Sequence, residues 1–274
     1  MTYASRLADV TALRGRLCVG LDPQPSVLAA WGLERGLDAV ERVTMTMIEA
    51  LGDTVAAFKP QSAFYEAYGS AGIGVLERAL RAIRDVGAVS ILDVKRGDIG
   101  SSMAGYADAY LAPDAPLWAD AITLSPYLGF DSLRPAIEQA IASDRGVYVL
   151  ARTSNPESAP VQLATTTAGV VVAQSIVDAA QQVNAEHGNP VGLVVGATHA
   201  DIGVDLASFS GSVLVPGIGA QGGRVTDLAR SFGTAARHVL PTASRQVLNV
   251  GDDRPALRAE VSKLLSEIAE LDEL

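Results

Sequence analysis

Short apolar runs that resemble β-strands recur along the chain, and segments with helical character separate them. Eight such runs are visible, near residues 16–21, 54–59, 88–94, 119–124, 146–151, 191–196, 212–216 and 237–241. A (β/α)8 barrel contains eight strands that alternate with helices, and its active site forms at the carboxyl ends of the strands. A doubly wound open sheet is the alternative, but no G-x-G-x-x-G motif follows the first run. The sequence therefore predicts an α/β fold of the TIM-barrel type.

The size and charge of the chain narrow its organisation and its partners. With 274 residues, of which 49% are hydrophobic, it can bury the core of one barrel or of two small domains. We favour a single barrel domain over residues 1–274. The net charge is −10 and no basic run is present, which argues against nucleic acid and anionic membranes as partners. A local cationic pocket for a phosphate group is still compatible with this charge.

The sequence of residues 1–7, the length of the apolar runs and the cysteine content predict a cytoplasmic location. Residues 1–7 lack the continuous apolar segment of a signal peptide, and no apolar run approaches the roughly 18 residues needed to span a bilayer. Cys18 is the only cysteine, so neither an intrachain disulfide nor a cysteine-based metal site can form. Because it lies in an apolar run, we interpret Cys18 as a small core residue.

The end of the third predicted strand carries a dense cluster of charges. Its sequence is Asp-Val-Lys-Arg-Gly-Asp over residues 93–98, followed by the expected start of a helix near Gly100. Side chains alternate along a strand, so Asp93 and Lys95 point to the same face. Asp98 follows a flexible glycine and can turn away from the strand. A surface salt-bridge cluster is the structural alternative, but charges at a strand's carboxyl end in a barrel more often serve chemistry.

Two neighbouring strands add charges at the same predicted rim. The first strand ends at Asp22 and the second at Lys59. Together with Asp93 and Lys95, they give four charged groups of alternating sign on three consecutive strands. Single polar residues are common at barrel rims, but four of them predict a charged functional site.

A glycine-rich segment follows the seventh strand, over residues 215–224. Its glycines allow backbone N–H groups to approach an anion, and a helix begins near Arg224. The eighth strand leads to Arg245, whose guanidinium can bind two phosphate oxygens. Since barrels often bind phosphate after strands 7 and 8, the sequence predicts a phosphate site here.

The three histidines give weaker signals. His187 and His238 have no partners at metal-ligand spacing, and we interpret both as structural. His199 follows the sixth strand at the predicted rim and receives no role. The segment 164–187 has apolar residues at roughly helical spacing and predicts an outer-layer helix.

Taken together, these motifs resemble the orotidine 5′-phosphate decarboxylase family, specifically its longer bacterial branch with the motif Asp-x-Lys-Arg-Gly-Asp-Ile-Gly. The resemblance spans nearly the whole barrel and includes residues 20–23, 58–61, 93–100 and 216–223, together with Arg245. Each piece is moderately specific, and the complete set in this order is highly specific.

The resemblance implies a catalytic network made of Lys59, Asp93, Lys95 and Asp98. It also implies a homodimer in which Asp98 is donated across the interface to the neighbouring subunit's site. The reaction it implies converts orotidine 5′-phosphate to UMP and CO2 in pyrimidine biosynthesis, without a metal or an organic cofactor. In that reaction Lys95 stabilises the carbanion at C6 of the pyrimidine and then protonates it.

The resemblance also implies binding roles for five residues. Asp22 resembles a ribose-binding aspartate, and Ser102, where the family often has threonine, resembles a ribose contact made across the interface. Gln221 and Arg245 resemble the phosphate ligands. Ser154 is the best match to the serine that contacts the pyrimidine, although residues 153–156 depart from the shorter members of the family.

Other reactions on similar barrels are alternatives. Magnesium-dependent phosphosugar decarboxylases and aldolases share the Asp-x-Lys-x-x-Asp motif, but they carry a glutamate metal ligand where this chain has Lys59, and an ammonium repels Mg²⁺. A Schiff-base aldolase could use Lys59 or Lys95, but the flanking carboxylates favour a protonated amine over a nucleophilic one. A non-catalytic phosphate-binding protein is the third alternative.

Overall fold

The computed structural model describes residues 1–199, 201–219 and 222–270, and its eight parallel strands close into one barrel in chain order. The strands are β1 (Cys18–Leu21), β2 (Ala57–Pro60), β3 (Val89–Arg96), β4 (Ala121–Leu124), β5 (Gly146–Arg152), β6 (Val191–Val195), β7 (Val213–Ile218) and β8 (Val239–Ala243). Strand β1 pairs with both β2 and β8, which completes the closure. The predicted TIM barrel is confirmed.

Helices precede the first strand, connect the strands and follow the last one. They are α1 (Tyr3–Arg14), α2 (Pro25–Ala30), α3 (Leu37–Leu51), α4 (Ala63–Glu66), α5 (Gly69–Asp85), α6 (Gly100–Tyr110), α7 (Arg134–Ala142), α8 (Ala159–Gln162), α9 (Val172–His187), α10 (Val225–Phe232), α11 (Arg245–Leu248) and α12 (Arg254–Ala269). Short 3-10 turns occur at Phe130–Leu133, Pro156–Ser158 and Gly233–His238. No helix among the described residues is both long and apolar enough to cross a membrane.

The helix predicted over residues 164–187 is shorter than expected and begins at Val172. The segment before it folds into a tight turn, in which Thr165 pairs with Val171 in an antiparallel bridge. Gly169 has a φ of +80°, a left-handed conformation that a glycine adopts at little cost. The apolar residues of this segment therefore belong to a loop, although their spacing predicted a helix.

The amino end of the barrel is closed by helix α1. Tyr3 and Leu7 pack against the residues inside the barrel, among them Cys18 and Tyr148. The Tyr3 hydroxyl donates a hydrogen bond to Tyr148, whose hydroxyl donates in turn to Ser212, over 2.9 Å and 3.0 Å. Cys18 is fully buried, as predicted. This packing leaves the carboxyl end as the open end of the barrel.

Candidate active site

A cavity of about 480 Å³ opens at the carboxyl end of the barrel, and residues on or just after all eight strands line it. The sequence-predicted residues that line it are Asp22, Lys59, Asp93, Lys95, Ser154 and Arg245. Six side chains from distant parts of the sequence therefore meet in one space, as the rule for strand ends in barrels predicts.

Asp93 is the centre of the polar network in this cavity. One carboxylate oxygen, Oδ1, accepts hydrogen bonds from Lys95 Nζ at 2.6 Å and Thr123 Oγ1 at 2.8 Å. The other, Oδ2, accepts from Lys59 Nζ and Gln61 Nε2, both at 3.0 Å. Four donors, two of them cationic, thus fix the position of this carboxylate.

The electrostatics of the Asp93 and Lys59 pair favour the charged form of both groups. Burial alone would raise the pKa of Asp93, but the two neighbouring lysines outweigh it and hold the pKa well below its usual range. Burial alone would likewise lower the pKa of Lys59, but the charges of Asp93 and Asp22 raise it. A buried ion pair therefore lies on one side of the cavity at neutral pH.

Lys95 differs from Lys59 in exposure and backbone conformation. The Lys95 side chain is 46% exposed, whereas that of Lys59 is only 7% exposed. Lys95 also has a φ of +44°, in the left-handed region that residues other than glycine rarely adopt. Such strained residues concentrate at functional sites, where surrounding contacts hold them in place.

Thr123 on β4 provides one of those contacts. Its hydroxyl oxygen accepts a hydrogen bond from the Lys95 backbone N–H at 2.9 Å while the hydroxyl donates to Asp93. The register between β3 and β4 shifts between Leu92 and Arg96, around the same point. Thr123 therefore fixes the backbone of one catalytic candidate and the side chain of another. Sequence reasoning missed it, although its position near the end of β4 was a usable signal.

Asp22 lines the cavity and has one unsatisfied carboxylate oxygen. Its Oδ1 atom is buried and has no hydrogen-bond partner among the residues that the structure describes. Gly20 packs against both Ser244 and Asp22, because a Cβ atom there would lie 1.8 Å from Ser244 Oγ and 3.3 Å from Asp22 Oδ2. A buried acceptor without a donor predicts a polar group on the ligand.

The side of the cavity around β7 and β8 has features of an anion site. Gly217 and Arg245 line it, and Arg245 forms no ion pair with any described residue. Gly217 has a φ of +104°, and its carbonyl accepts a hydrogen bond from Gly223 N at 3.0 Å. Gln221, the other predicted phosphate ligand, lies outside the described residues. Helix α10 begins at Val225, next to the predicted start near Arg224.

The loop after β5 closes another side of the cavity. Ser154 lines it as predicted, together with three residues that sequence reasoning missed, Thr153, Asn155 and Gln162. Gln61 and Ser244 were missed as well, although each lies within two residues of a predicted site residue. Their uncharged side chains carried no signal of their own, whereas their closeness to strand ends did.

Asp98 and Ser102 are not among the residues that line this cavity. Asp98 is half-buried, and its Oδ1 accepts a hydrogen bond from Ile99 N at 2.8 Å. Ser102 is exposed in the first turn of α6. Within a single chain, the structure does not bring these two residues to the other predicted site residues.

Comparison with known proteins identifies close relatives over the whole barrel. The family model "Orotidine 5'-phosphate decarboxylase / HUMPS family" matches residues 15–259. The orotidine 5′-phosphate decarboxylase of Salinispora arenicola is 51% identical over 268 residues, which cover 97% of this chain and 96% of the relative. That of Streptomyces coelicolor is 46% identical, with the same two coverages.

Solved structures agree with the sequence relatives. A crystal structure from Streptomyces avermitilis, provisionally given the same enzyme name, superimposes with a TM-score of 0.94 at 47% identity and covers 100% of this chain and 96% of its own. The structure of Leishmania donovani OMP decarboxylase has a TM-score of 0.81 at 31% identity, with both chains fully covered.

Proposed function

The chain belongs to the orotidine 5′-phosphate decarboxylase family, and on that premise we propose that the cavity at the carboxyl end of its barrel carries out the reaction through Lys59, Asp93 and Lys95. The activity is the conversion of orotidine 5′-phosphate to UMP and CO2, a carboxy-lyase step of pyrimidine biosynthesis. The observation that carries the proposal is the carboxylate of Asp93, held between two lysine ammonium groups at the edge of the cavity.

The difficult step breaks the bond between C6 of the pyrimidine and the substrate carboxylate. Its electron pair stays on C6, and the carboxyl group leaves as neutral CO2. We assign the stabilisation of this carbanion to the Lys95 ammonium, which has the exposure needed to reach a ligand. The same ammonium then gives a proton to C6, which yields UMP, and the neutral amine recovers a proton from solvent.

Asp93 has two effects in this scheme. Its hydrogen bond to Lys95 Nζ directs the ammonium, and its negative charge lies near the position proposed for the substrate carboxylate. Two like charges about 4 Å apart repel by roughly 4 kcal/mol at an effective dielectric constant near 20. That repulsion disappears when neutral CO2 departs, so the charge of Asp93 favours the forward step.

Lys59 keeps Asp93 ionised and in place. It is buried and forms a 3.0 Å ion pair with Asp93 Oδ2, on the side of the carboxylate opposite to Lys95. An ammonium at the end of β2 also disfavours Mg²⁺ at this position, and the comparisons do not support the alternative of a magnesium-dependent phosphosugar enzyme.

The other ends of the substrate are assigned to the remaining walls of the cavity. We propose Arg245 for the phosphate and Asp22 for a ribose hydroxyl, which would give its unsatisfied Oδ1 a donor. Ser154 is proposed as the pyrimidine contact. The role of Gln221 as a phosphate ligand rests on the family resemblance alone. Binding energy from the remote phosphate can orient the base for reaction at C6.

We further propose a homodimer in which Asp98 and Ser102 complete the partner's site. Both lie outside the cavity of their own chain. Large apolar side chains are exposed around them, with Ile99 62% exposed, Tyr127 82% and Leu128 53%. The loop after β3 and the loop after β4 are in contact, because a Cβ atom on Gly97 would lie 2.3 Å from the Ser125 carbonyl oxygen. Exposed apolar patches of this kind often bind another protein surface.

Mixing two inactive variants tests this dimer. Lys95→Ala and Asp98→Ala protomers would form hybrid dimers in which one site has both native residues. After unfolding and refolding the variants together in equal amounts, we expect about a quarter of the wild-type turnover, because half of the dimers are hybrids with one complete site. Activity no higher than that of the separate variants would place Asp98 in the site of its own chain.

The activity itself is tested by following the loss of orotidylate absorbance with purified, metal-free protein. We expect full turnover in excess EDTA, because the proposed chemistry uses only side chains. A loss of activity in EDTA that Mg²⁺ restores would contradict the cofactor-free mechanism. The cytoplasmic location stays a prediction.

A further inference from the structure

Arg152, the last residue of β5, is a buried cation whose role the proposed reaction does not explain. It is only 5% exposed, and it forms no ion pair with any carboxylate in the described part of the chain. Burying an unpaired charge is costly unless other contacts compensate for it. The contacts that Arg152 makes therefore indicate what it is for.

Those contacts connect two loops at the mouth of the barrel. Nη1 donates to Ser158 Oγ and, at 3.4 Å each, to the Thr153 carbonyl and Gln162 Oε1, all on the loop after β5. Nη2 faces His199 Nδ1 at 3.5 Å, on the loop after β6. Arg152 thus holds the two loops in a fixed relation.

His199 makes the second connection between the same loops. Its Nε2 lies 2.8 Å from the Thr153 carbonyl oxygen. A carbonyl only accepts, so Nε2 must carry a proton and donate. In the neutral ring, Nδ1 is then an acceptor, and it faces a donor on Arg152. One tautomer of His199 therefore satisfies both contacts.

The loop after β5 is also held from its other side. Gln162 accepts from Thr153 N and donates to Thr153 Oγ1, both at 2.9 Å. The Thr198 hydroxyl donates to the Ser154 carbonyl at 2.9 Å. Gly196 packs so closely that a Cβ atom there would lie 2.6 Å from Ser154 Cα. The backbone of residues 153–154 is therefore fixed by side chains on both sides.

We propose that His199 and Arg152 are positioning residues that hold residues 153–155 in the shape that binds the pyrimidine base. All three residues of this segment line the cavity, whereas neither His199 nor Arg152 does. The inference rests on the proposed function, because it assumes that this wall of the cavity faces the base. It predicts that removing the His199 contacts weakens binding of the base and leaves binding of the sugar phosphate unchanged.

The test compares UMP with ribose 5-phosphate, which has the same sugar phosphate but no base, by calorimetric titration of the purified protein. His199→Phe keeps a ring but removes both hydrogen bonds. We expect the Kd for UMP to rise about tenfold, which corresponds to about 1.4 kcal/mol, and the Kd for ribose 5-phosphate to stay within about twofold. His199→Gln, whose amide N–H can replace Nε2–H, should recover most of the UMP affinity.

A second variant guards against a folding defect in the first. Thr198→Val removes the hydrogen bond to Ser154 with little change in volume, and it should weaken UMP selectively by about threefold. The inference is overturned if His199→Phe leaves UMP binding unchanged, if both ligands weaken equally, or if glutamine rescues no better than phenylalanine. If the wild-type protein decarboxylates orotidine 5′-phosphate, these outcomes contradict the positioning role and leave the proposed function in place. An inactive wild type would overturn the proposed function instead.

Discussion

The two ends of the barrel each contain a buried aspartate between two cations, but their surroundings differ. At the carboxyl end, Asp93 lies between Lys59 and Lys95. At the amino end, Asp120 lies between Arg6 and Arg145, at 2.5 Å and 3.4 Å. Both carboxylates accept four hydrogen bonds, so neither the charge pattern nor hydrogen-bond satisfaction distinguishes them.

The two clusters differ in whether a cation is free to contact a ligand. Arg145 stacks on the Trp118 ring, with its guanidinium carbon 3.6 Å from the ring centroid, and helix α1 brings Arg6 to Asp120. Lys95, by contrast, is 46% exposed beside a cavity and has a strained backbone. The same arrangement of charges therefore stabilises the fold where it is covered. Where one cation is left open, it has the exposure that the proposed binding and protonation of a ligand require.

The largest expected effect comes from removing the open cation. Lys95→Ala should reduce kcat by at least about 10³-fold, because it removes both the proposed carbanion partner and the proposed proton donor. UMP binding should stay measurable, and the midpoint of thermal unfolding should change little. Steady-state assays with orotidine 5′-phosphate measure the first effect. Turnover within tenfold of wild type would remove Lys95 from the mechanism.

The covered aspartate should affect stability instead. Asp120→Asn leaves Arg6 and Arg145 without their carboxylate and should lower the free energy of unfolding by about 3–5 kcal/mol. The kcat of the remaining folded enzyme should stay near the wild-type value. Asp131→Asn is a matched control, because its ion pair with Arg134 is exposed and should contribute less than about 1 kcal/mol. Urea unfolding measures both values, and equal losses would contradict the comparison.

A smaller effect should come from the threonine that supports the open site. Thr123→Val keeps the shape of the side chain but removes its hydrogen bonds to Asp93 and to the Lys95 backbone. We expect kcat to fall about tenfold to a hundredfold, with KM changed less than about threefold, since two hydrogen bonds of about 1 kcal/mol each are lost. A change confined to KM would show that Thr123 supports binding and not the lysine.

The smallest effect is a pH dependence of stability that belongs to Asp93. Because its pKa is lowered in the folded protein, its contribution is fully present above about pH 4, the ordinary aspartate value, and is lost as pH falls below that value. Compared with Asp93→Asn, wild type should lose up to about 1.4 kcal/mol of unfolding free energy per pH unit on acidification. Parallel curves from pH 6 to pH 3, followed by tryptophan fluorescence in urea, would contradict the lowered pKa.

The sequence predicted the fold and the meeting of Asp22, Lys59, Asp93 and Lys95 at the carboxyl end of the barrel, because both follow from local rules. Apolar runs separated by helical segments predict the number of strands. The alternation of side chains along a strand places Asp93 and Lys95 on one face. Strand bounds were less accurate, as β8 begins at Val239 and not at residue 237. The last strand follows a 3-10 turn, Gly233–His238, and its apolar residues do not mark where pairing begins.

The neutral residues of the site could not be predicted in the same way. Thr123 and Gln162 act through hydrogen bonds to residues 30 and 9 positions away, to Asp93 and Thr153. Such contacts depend on which strands become neighbours and on how a loop folds back. The sequence did separate Asp93 from Asp120, because Asp93 lies at the carboxyl end of its predicted strand and Asp120 at the start of the run 119–124. It did not reveal that Asp120 is paired with Arg6 and Arg145, which come from distant parts of the chain.

Restoring an ammonium at position 95 tests the central claim most directly. In a Lys95→Cys variant, 2-bromoethylamine would convert the new thiol into a close analogue of lysine. Cys18 should not react, because it is fully buried and burial raises the pKa of its thiol to about 12. We predict that the unmodified variant is inactive, that the aminoethylated protein regains decarboxylase activity, and that alkylation with neutral iodoacetamide restores none. Equal activity after both treatments, or turnover near wild type before either, would contradict the role of Lys95 as the proton donor.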